Sequence, residues 1–149
     1  MNRIQRIQPA VDVAHKRQQN AARLVGERQQ QLGVRLQRLE ELRQYRDEYA
    51  DQFSHSIQSM SGLYVREYRL FLSRLNQAIE EQHHHVKQAR ELLSKSQQEW
   101  TRCRVHCDAV TKVLERLYAE QRQVQAQREQ AQNDEFGQRP HPAKLNING

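Results

Sequence analysis

Residues 68–131 read YRLFLSRLNQAIEEQHHHVKQARELLSKSQQEWTRCRVHCDAVTKVLERLYAEQRQVQAQREQA, and along them an apolar side chain returns at alternating spacings of three and four for about nine heptads. The a positions are Leu72, Ile79, Val86, Leu93, Trp100, Cys107, Leu114, Gln121 and Arg128. The d positions are Tyr68, Leu75, Gln82, Ala89, Ser96, Cys103, Val110, Leu117, Val124 and Ala131. Only Gln82, Ser96, Gln121 and Arg128 interrupt the stripe. A seam this long and narrow is covered by another helix rather than by a globular core. The expected fold is therefore all-α, a long antiparallel two-helix coiled coil in which the second helix is the longer.

Working toward the amino terminus, a weaker seam places Val11, Gln18, Val25, Leu32, Leu39, Arg46 and Phe53 at a, and Ala14, Ala21, Arg28, Arg35, Leu42 and Tyr49 at d. Pro9 suits a first helical position, where its missing N–H has no partner to lose. This sets the first helix at about 9–54. Gly26 and Gly33 each cost about 1 kcal/mol relative to Ala, so this helix relies on its neighbour. Between the seams, four serines and a glycine in Ser54-His-Ser-Ile-Gln-Ser-Met-Ser-Gly62 offer caps and place the turn at about 55–62.

A second helix at about 63–136 follows, ending at Gly137 in the left-handed conformation, with Pro140 and Pro142 preventing resumption. The expected organisation is one coiled-coil rod over 1–137 and a disordered tail over 138–149. A hairpin folded at this turn pairs residues whose numbers sum to roughly 118, such as Leu39 with Ile79 and Leu32 with Val86. The second helix then extends on the order of 110 Å, with roughly 25 residues from about Val110 onward lying beyond the start of the first.

Composition narrows function by exclusion. With 36% hydrophobic and 28% charged residues and a mean hydropathy of −1.05, apolar material suffices for a thin core and not for a compact one. The net charge of +6 raises nucleic acid or anionic lipid as partners. However, Arg28, Arg35, Arg38, Arg43 and Arg46 are interleaved with Glu40, Glu41, Asp47 and Glu48, as on a solvated coiled-coil face, and no nucleic-acid motif turns that charge into base recognition. No run approaches a membrane span and the first residues lack a signal-peptide core, so a cytoplasmic location is expected.

Cys103, His106 and Cys107 place soft ligands at i, i+3 and i+4, yet both cysteines fill seam positions as small apolar residues do, and packing is the reading taken. His83, His84 and His85 point in three directions around a helix and do not converge on one ion. No glycine loop, nucleophile–base pair or pocketed carboxylate is present. The expectation is no enzyme, no cofactor and no metal.

The two flanks of the seam differ. The e positions, His15, Ala22, Gln29, Leu36, Arg43, Ala50, Asn76, His83, Arg90, Gln97 and Arg104, are mostly polar, whereas the g flank carries Leu24, Tyr45, Phe71, Ala78 and Leu92. With Leu42, Tyr49 and Leu75 beside them, the g residues broaden the seam into an aromatic and aliphatic stripe that two helices leave partly wet. Such a stripe marks a protein contact.

Several motifs then fall in order: Leu42-x-x-Tyr45-x-x-Glu48-Tyr49, Tyr68-x-x-Phe71-x-x-x-Leu75-x-x-Ala78-Ile79-x-x-Gln82, Trp100, Leu114-x-x-Leu117, and Asp134-Glu-Phe136. The chain resembles the FliJ family of the bacterial flagellar type III export apparatus, from Ala21 through Arg139. The resemblance implies a central-stalk-like coiled coil that binds and stimulates the hexameric export ATPase (FliI-like), touches the cytoplasmic domain of an FlhA-like export gate, and exchanges with export chaperones. It further implies a protein held peripherally at the cytoplasmic face of the inner membrane.

Under this resemblance the gate contact falls on Leu42, Tyr45, Tyr49, Phe71, Leu75, Ala78 and Gln82, and the ring contact on the helix ends at Val11, Ala14, Val110, Leu114, Leu117 and Val124. The linker at 54–62 and Arg38 depart from the family pattern. Two alternatives stand beside it: the equivalent stalk of a virulence-type secretion system, and a basic coiled-coil adaptor for nucleic acid or membrane.

Overall fold

The computed structural model describes residues 2–138. Helix α1 covers Arg3–Ser56, 54 residues, and α2 covers Gly62–Gln138, 77 residues, with a single 3-10 turn at Ile57–Ser59 between them. The described residues contain no strand. The fold is the all-α, antiparallel two-helix coiled coil that the heptads predict, with the second helix the longer. Contacts divide it into two compact units, Arg17–Arg104 and Met1–Lys16 with Val105–Gly149.

In the Arg17–Arg104 unit, Leu39, Leu75, Ile79 and Val86 form the buried cluster, with Leu32 and Leu42 packed against it. The two buried polar d residues of α2, Gln82 and Ser96, are hydrogen-bonded. Gln82 Nε2 donates to the Arg35 carbonyl at 2.9 Å across the helix pair, and Ser96 Oγ donates to the Leu92 carbonyl at 3.0 Å within α2. Burying an amide without such a partner costs on the order of 1–3 kcal/mol. The serines act at the turn: Ser59 Oγ donates to the Ser56 carbonyl at 2.9 Å, Met60 is extended, and Ser61 caps α2 by accepting from the Tyr64 N–H at 3.4 Å.

In the other unit, Val11, Ala14, Cys107 and Leu114 are buried. Here α1 departs from the sequence expectation, because it begins at Arg3 and carries Pro9 inside it rather than at its start. Asn2 and Gln5 explain the earlier start. The Gln5 N–H donates to Asn2 Oδ1 at 2.8 Å and the Asn2 N–H to Gln5 Oε1 at 3.3 Å, a reciprocal capping box that satisfies two end donors together. Ile4 and Ile7 are half-buried, and their burial offsets the backbone bond that Pro9 removes.

The earlier start also shortens the expected overhang. Leu114 is buried and Val110 and Leu117 are half-buried, while every side chain from Tyr118 to Gly137 is exposed. The carboxyl end of α2 corrects a second expectation. No glycine among the described residues has positive φ, and α2 runs through Gly137 to Gln138. Glycine adopts helical φ as readily as left-handed φ, and the proline restriction bears on the residue directly before Pro140. The tail expected over 138–149 lies outside the described residues except for Gln138, where the helix ends.

Candidate functional site

The g-flank stripe becomes an aromatic cluster near the turn end of the Arg17–Arg104 unit. Heptad spacing projects Tyr45 and Tyr49 from α1 toward Tyr68 and Phe71 from α2. The Tyr49 ring lies 4.6 Å from that of Phe71 and stacks on Tyr68 at 4.5 Å. Tyr45 meets Tyr49 at 5.8 Å and the edge of Phe71 at 6.2 Å. Phe53 closes the other side by stacking on Tyr68 at 4.6 Å. Offset and edge-to-face pairs of this kind contribute about 0.5–1.5 kcal/mol each beyond burial, which makes the cluster a rigid platform.

The hydroxyl of Tyr68 donates to the Tyr49 carbonyl. Desolvation within the cluster, with Tyr49 adjacent, pushes its pKa above the ordinary tyrosine value, so the ring stays neutral and keeps this donor role at physiological pH.

The seven residues expected at the gate contact divide by exposure. Tyr45 at 48% and Phe71 at 36% are open to solvent, and Leu42, Tyr49 and Ala78 are half-buried. Leu75 and Gln82 are buried, Leu75 in the core cluster with Leu39 and Ile79 and Gln82 bonded to the Arg35 carbonyl, so they hold the helix pair together. Sequence reasoning missed the extension of this surface toward the turn, where Leu63, Tyr64 and Leu70 are also exposed. The signal was available, since Tyr64, Phe71 and Ala78 recur at a spacing of seven on the g flank.

The residues expected to touch the ATPase ring divide in the same way. Val11, Ala14 and Leu114 are buried, Val110 and Leu117 are half-buried, and Val124 is 45% exposed. Val113 and Tyr118 offer further apolar surface nearby. The buried members pack α1 onto α2 and the exposed members form the outward face.

Cys107 lies wholly inside the Met1–Lys16/Val105–Gly149 unit, its Sγ 3.4 Å from His15 Nδ1, and the side chain packs as a small apolar residue. In the other unit, desolvation and then a contact with Glu99 push the Cys103 thiol above its ordinary pKa. Among the described residues, no group of three or more His, Cys, Asp or Glu side chains is arranged to hold a metal. None of the described helices is long and apolar enough to cross a membrane.

An antiparallel helix pair with a solvent-facing aromatic platform is suited to holding protein partners. The family model of the flagellar FliJ protein matches residues 3–145, nearly the whole chain. The chain belongs to the FliJ family. It is thereby a component of the flagellar type III protein export apparatus. No curated protein and no solved structure matches it. The aromatic platform and the side chains of Val113, Tyr118 and Val124 are exposed apolar surface among the described residues.

Proposed function

We propose that this chain is a non-enzymatic, central-stalk-like element that joins the export ATPase to the export gate. Its ring-facing surface is the outward side of α2 around Val113, Tyr118 and Val124, held in place by Val11, Ala14, Val110, Leu114 and Leu117. Its gate-facing surface is Tyr45 and Phe71, flanked by Leu42, Tyr49 and Ala78 and supported by Leu75 and Gln82. Export chaperones are further partners, and the working location is the cytoplasmic face of the inner membrane at the flagellar base.

The observation that carries this reading is the exposure of Tyr45 and Phe71 on a cluster whose other rings are already satisfied. Rigid aromatic anchors of this kind dominate protein contacts because little side-chain entropy is lost when they are covered. The mechanism needs no chemistry: the ring-facing surface biases ATPase subunits and the gate-facing surface biases the gate, each by binding one state better than another.

The test is gate binding by the double variant Tyr45→Ala/Phe71→Ala, with helicity followed by circular dichroism. Binding is expected to fall by at least about 2 kcal/mol while helicity stays near wild type. Parallel loss of both would make the stripe a piece of core and refute its assignment as a contact.

A further inference from the structure

On the e flank, away from the aromatic platform, the helices of the Arg17–Arg104 unit leave a groove of about 400 Å³ lined by Leu36, Leu39, Arg43, His83, Val86, Lys87 and Arg90. Its floor is apolar. Leu39 and Val86 belong to the buried cluster, whereas Leu36 is 37% exposed, an unusual position for leucine on a flank otherwise polar. Its rims are basic, with Arg43 on α1 and His83, Lys87 and Arg90 on α2. Arg43 Nη2 donates to His83 Nε2 at 2.9 Å, which fixes the guanidinium across the top of the groove.

No carboxylate lines the groove. The ion pairs among the described residues are Arg38–Glu41, Arg46–Asp47, His55–Asp51 and Arg102–Glu99. Arg43, Lys87 and Arg90 therefore have no anionic partner among those residues. Three cations around an exposed leucine present both charges to be neutralised and apolar area to be covered.

We propose that this groove seats an acidic amphipathic helix from a protein partner, its apolar side chains against Leu36, Leu39 and Val86 and its carboxylates on Arg43, Lys87 and Arg90. A groove between two packed helices accepts a third helix by the same ridge packing that joins the first two. Carboxylates on a planar guanidinium form the strong, charge-assisted bonds that fix orientation. A phosphate polymer fits less well, because Glu40 on α1 and Glu80 on α2, at b positions beside this flank, interrupt the basic stripe that such a polymer would follow, and phosphates gain nothing from the apolar floor. The site lies on a different flank from Tyr45 and Phe71, so both surfaces can be occupied at once.

The test uses the full-length protein and a fluorescently labelled helical peptide of about 18 residues, with leucines at heptad spacing and glutamates on either side of them. The control peptide has the same composition scrambled. Saturable binding of the patterned peptide is expected, weakened about tenfold or more by Arg43→Gln/Lys87→Gln/Arg90→Gln and separately by Leu36→Gln, with Tyr45→Ala/Phe71→Ala unchanged. Leu36→Gln alters one exposed side chain and keeps the test decisive if the triple variant loses helicity.

Absence of binding at up to about 1 mM peptide, equal binding of the scrambled peptide, or unchanged binding by Leu36→Gln would each overturn the proposal. So would tighter capture of a DNA duplex of about 20 base pairs, or of phosphatidylserine vesicles, through the same three cations.

Discussion

Gln82 separates packing from partner contact more sharply than any other residue of the platform. It is 7% exposed and its amide donates to the Arg35 carbonyl at 2.9 Å. That carbonyl is also placed to accept the ordinary α1 backbone bond, so removing the amide orphans nothing. Gln82→Leu forfeits one neutral hydrogen bond, worth about 1 kcal/mol net. It gains about 1–2 kcal/mol from an apolar side chain of similar size in a buried site.

The expected outcome for Gln82→Leu is stability unchanged or raised by up to about 1 kcal/mol, whereas Gln82→Ala, which loses the bond and leaves a gap, costs about 2 kcal/mol. Urea unfolding followed at 222 nm measures both. Gate binding by the leucine variant is expected to equal wild type, since a buried amide offers a partner nothing. Destabilisation of the leucine variant as large as that of the alanine variant would refute the packing argument. Loss of gate binding at full stability would instead make Gln82 a contact residue despite its burial.

Four further expectations can be tested with the same material. Gly26 and Gly33 have open space where a Cβ would stand, so Gly26→Ala and Gly33→Ala should each raise stability by about 0.5–1 kcal/mol in thermal unfolding; a decrease would mean that a neighbour is displaced. Asn2→Ala should fray the first turn of α1 at a cost of about 1 kcal/mol and raise hydrogen exchange around Leu117, which lines the same surface as Asn2 and Ile4, and unchanged exchange would count against the capping box. At pH 7 to 8, the raised pKa of Cys103 leaves little thiolate, so iodoacetamide should label it more slowly than an unperturbed thiol and accelerate as pH rises through and above the ordinary thiol range. Cys107, being buried, should label only on unfolding, and labelling of native Cys107 at the Cys103 rate would contradict its placement.

The fold was legible because one physical signal dominated it. Apolar residues at a 3.5-residue period over the length of α2 admit few arrangements, and the serine-rich break left one place to turn. The start of α1 was misread because Pro9 gives a strong local cue, while the Asn2/Gln5 capping box is spread over four positions and acts only when both side chains reach back. The partition of the platform was partly legible. Leu75 and Gln82 sit at d, a position that packs inward, whereas Tyr45 and Phe71 sit at g.

The hairpin register was legible, since Leu39, Ile79 and Val86 share one cluster with Leu32 against it, but not finely enough to show which flank side chains meet. The stacking of Phe53 on Tyr68 and the bond from Arg43 to His83 depend on register across the turn, and a shift of one helical step would pair different side chains. The basic groove is therefore a property of the helix pair and not of either helix alone.

The most direct test of the stalk account is the hydrolysis rate of the cognate export ATPase hexamer with wild-type protein and with Val113→Gln/Tyr118→Gln/Val124→Gln, three changes confined to exposed side chains. The account predicts stimulation by the wild type and its loss in the variant with helicity retained. An assembled hexamer whose rate is the same with wild type, with the variant and with neither would contradict it.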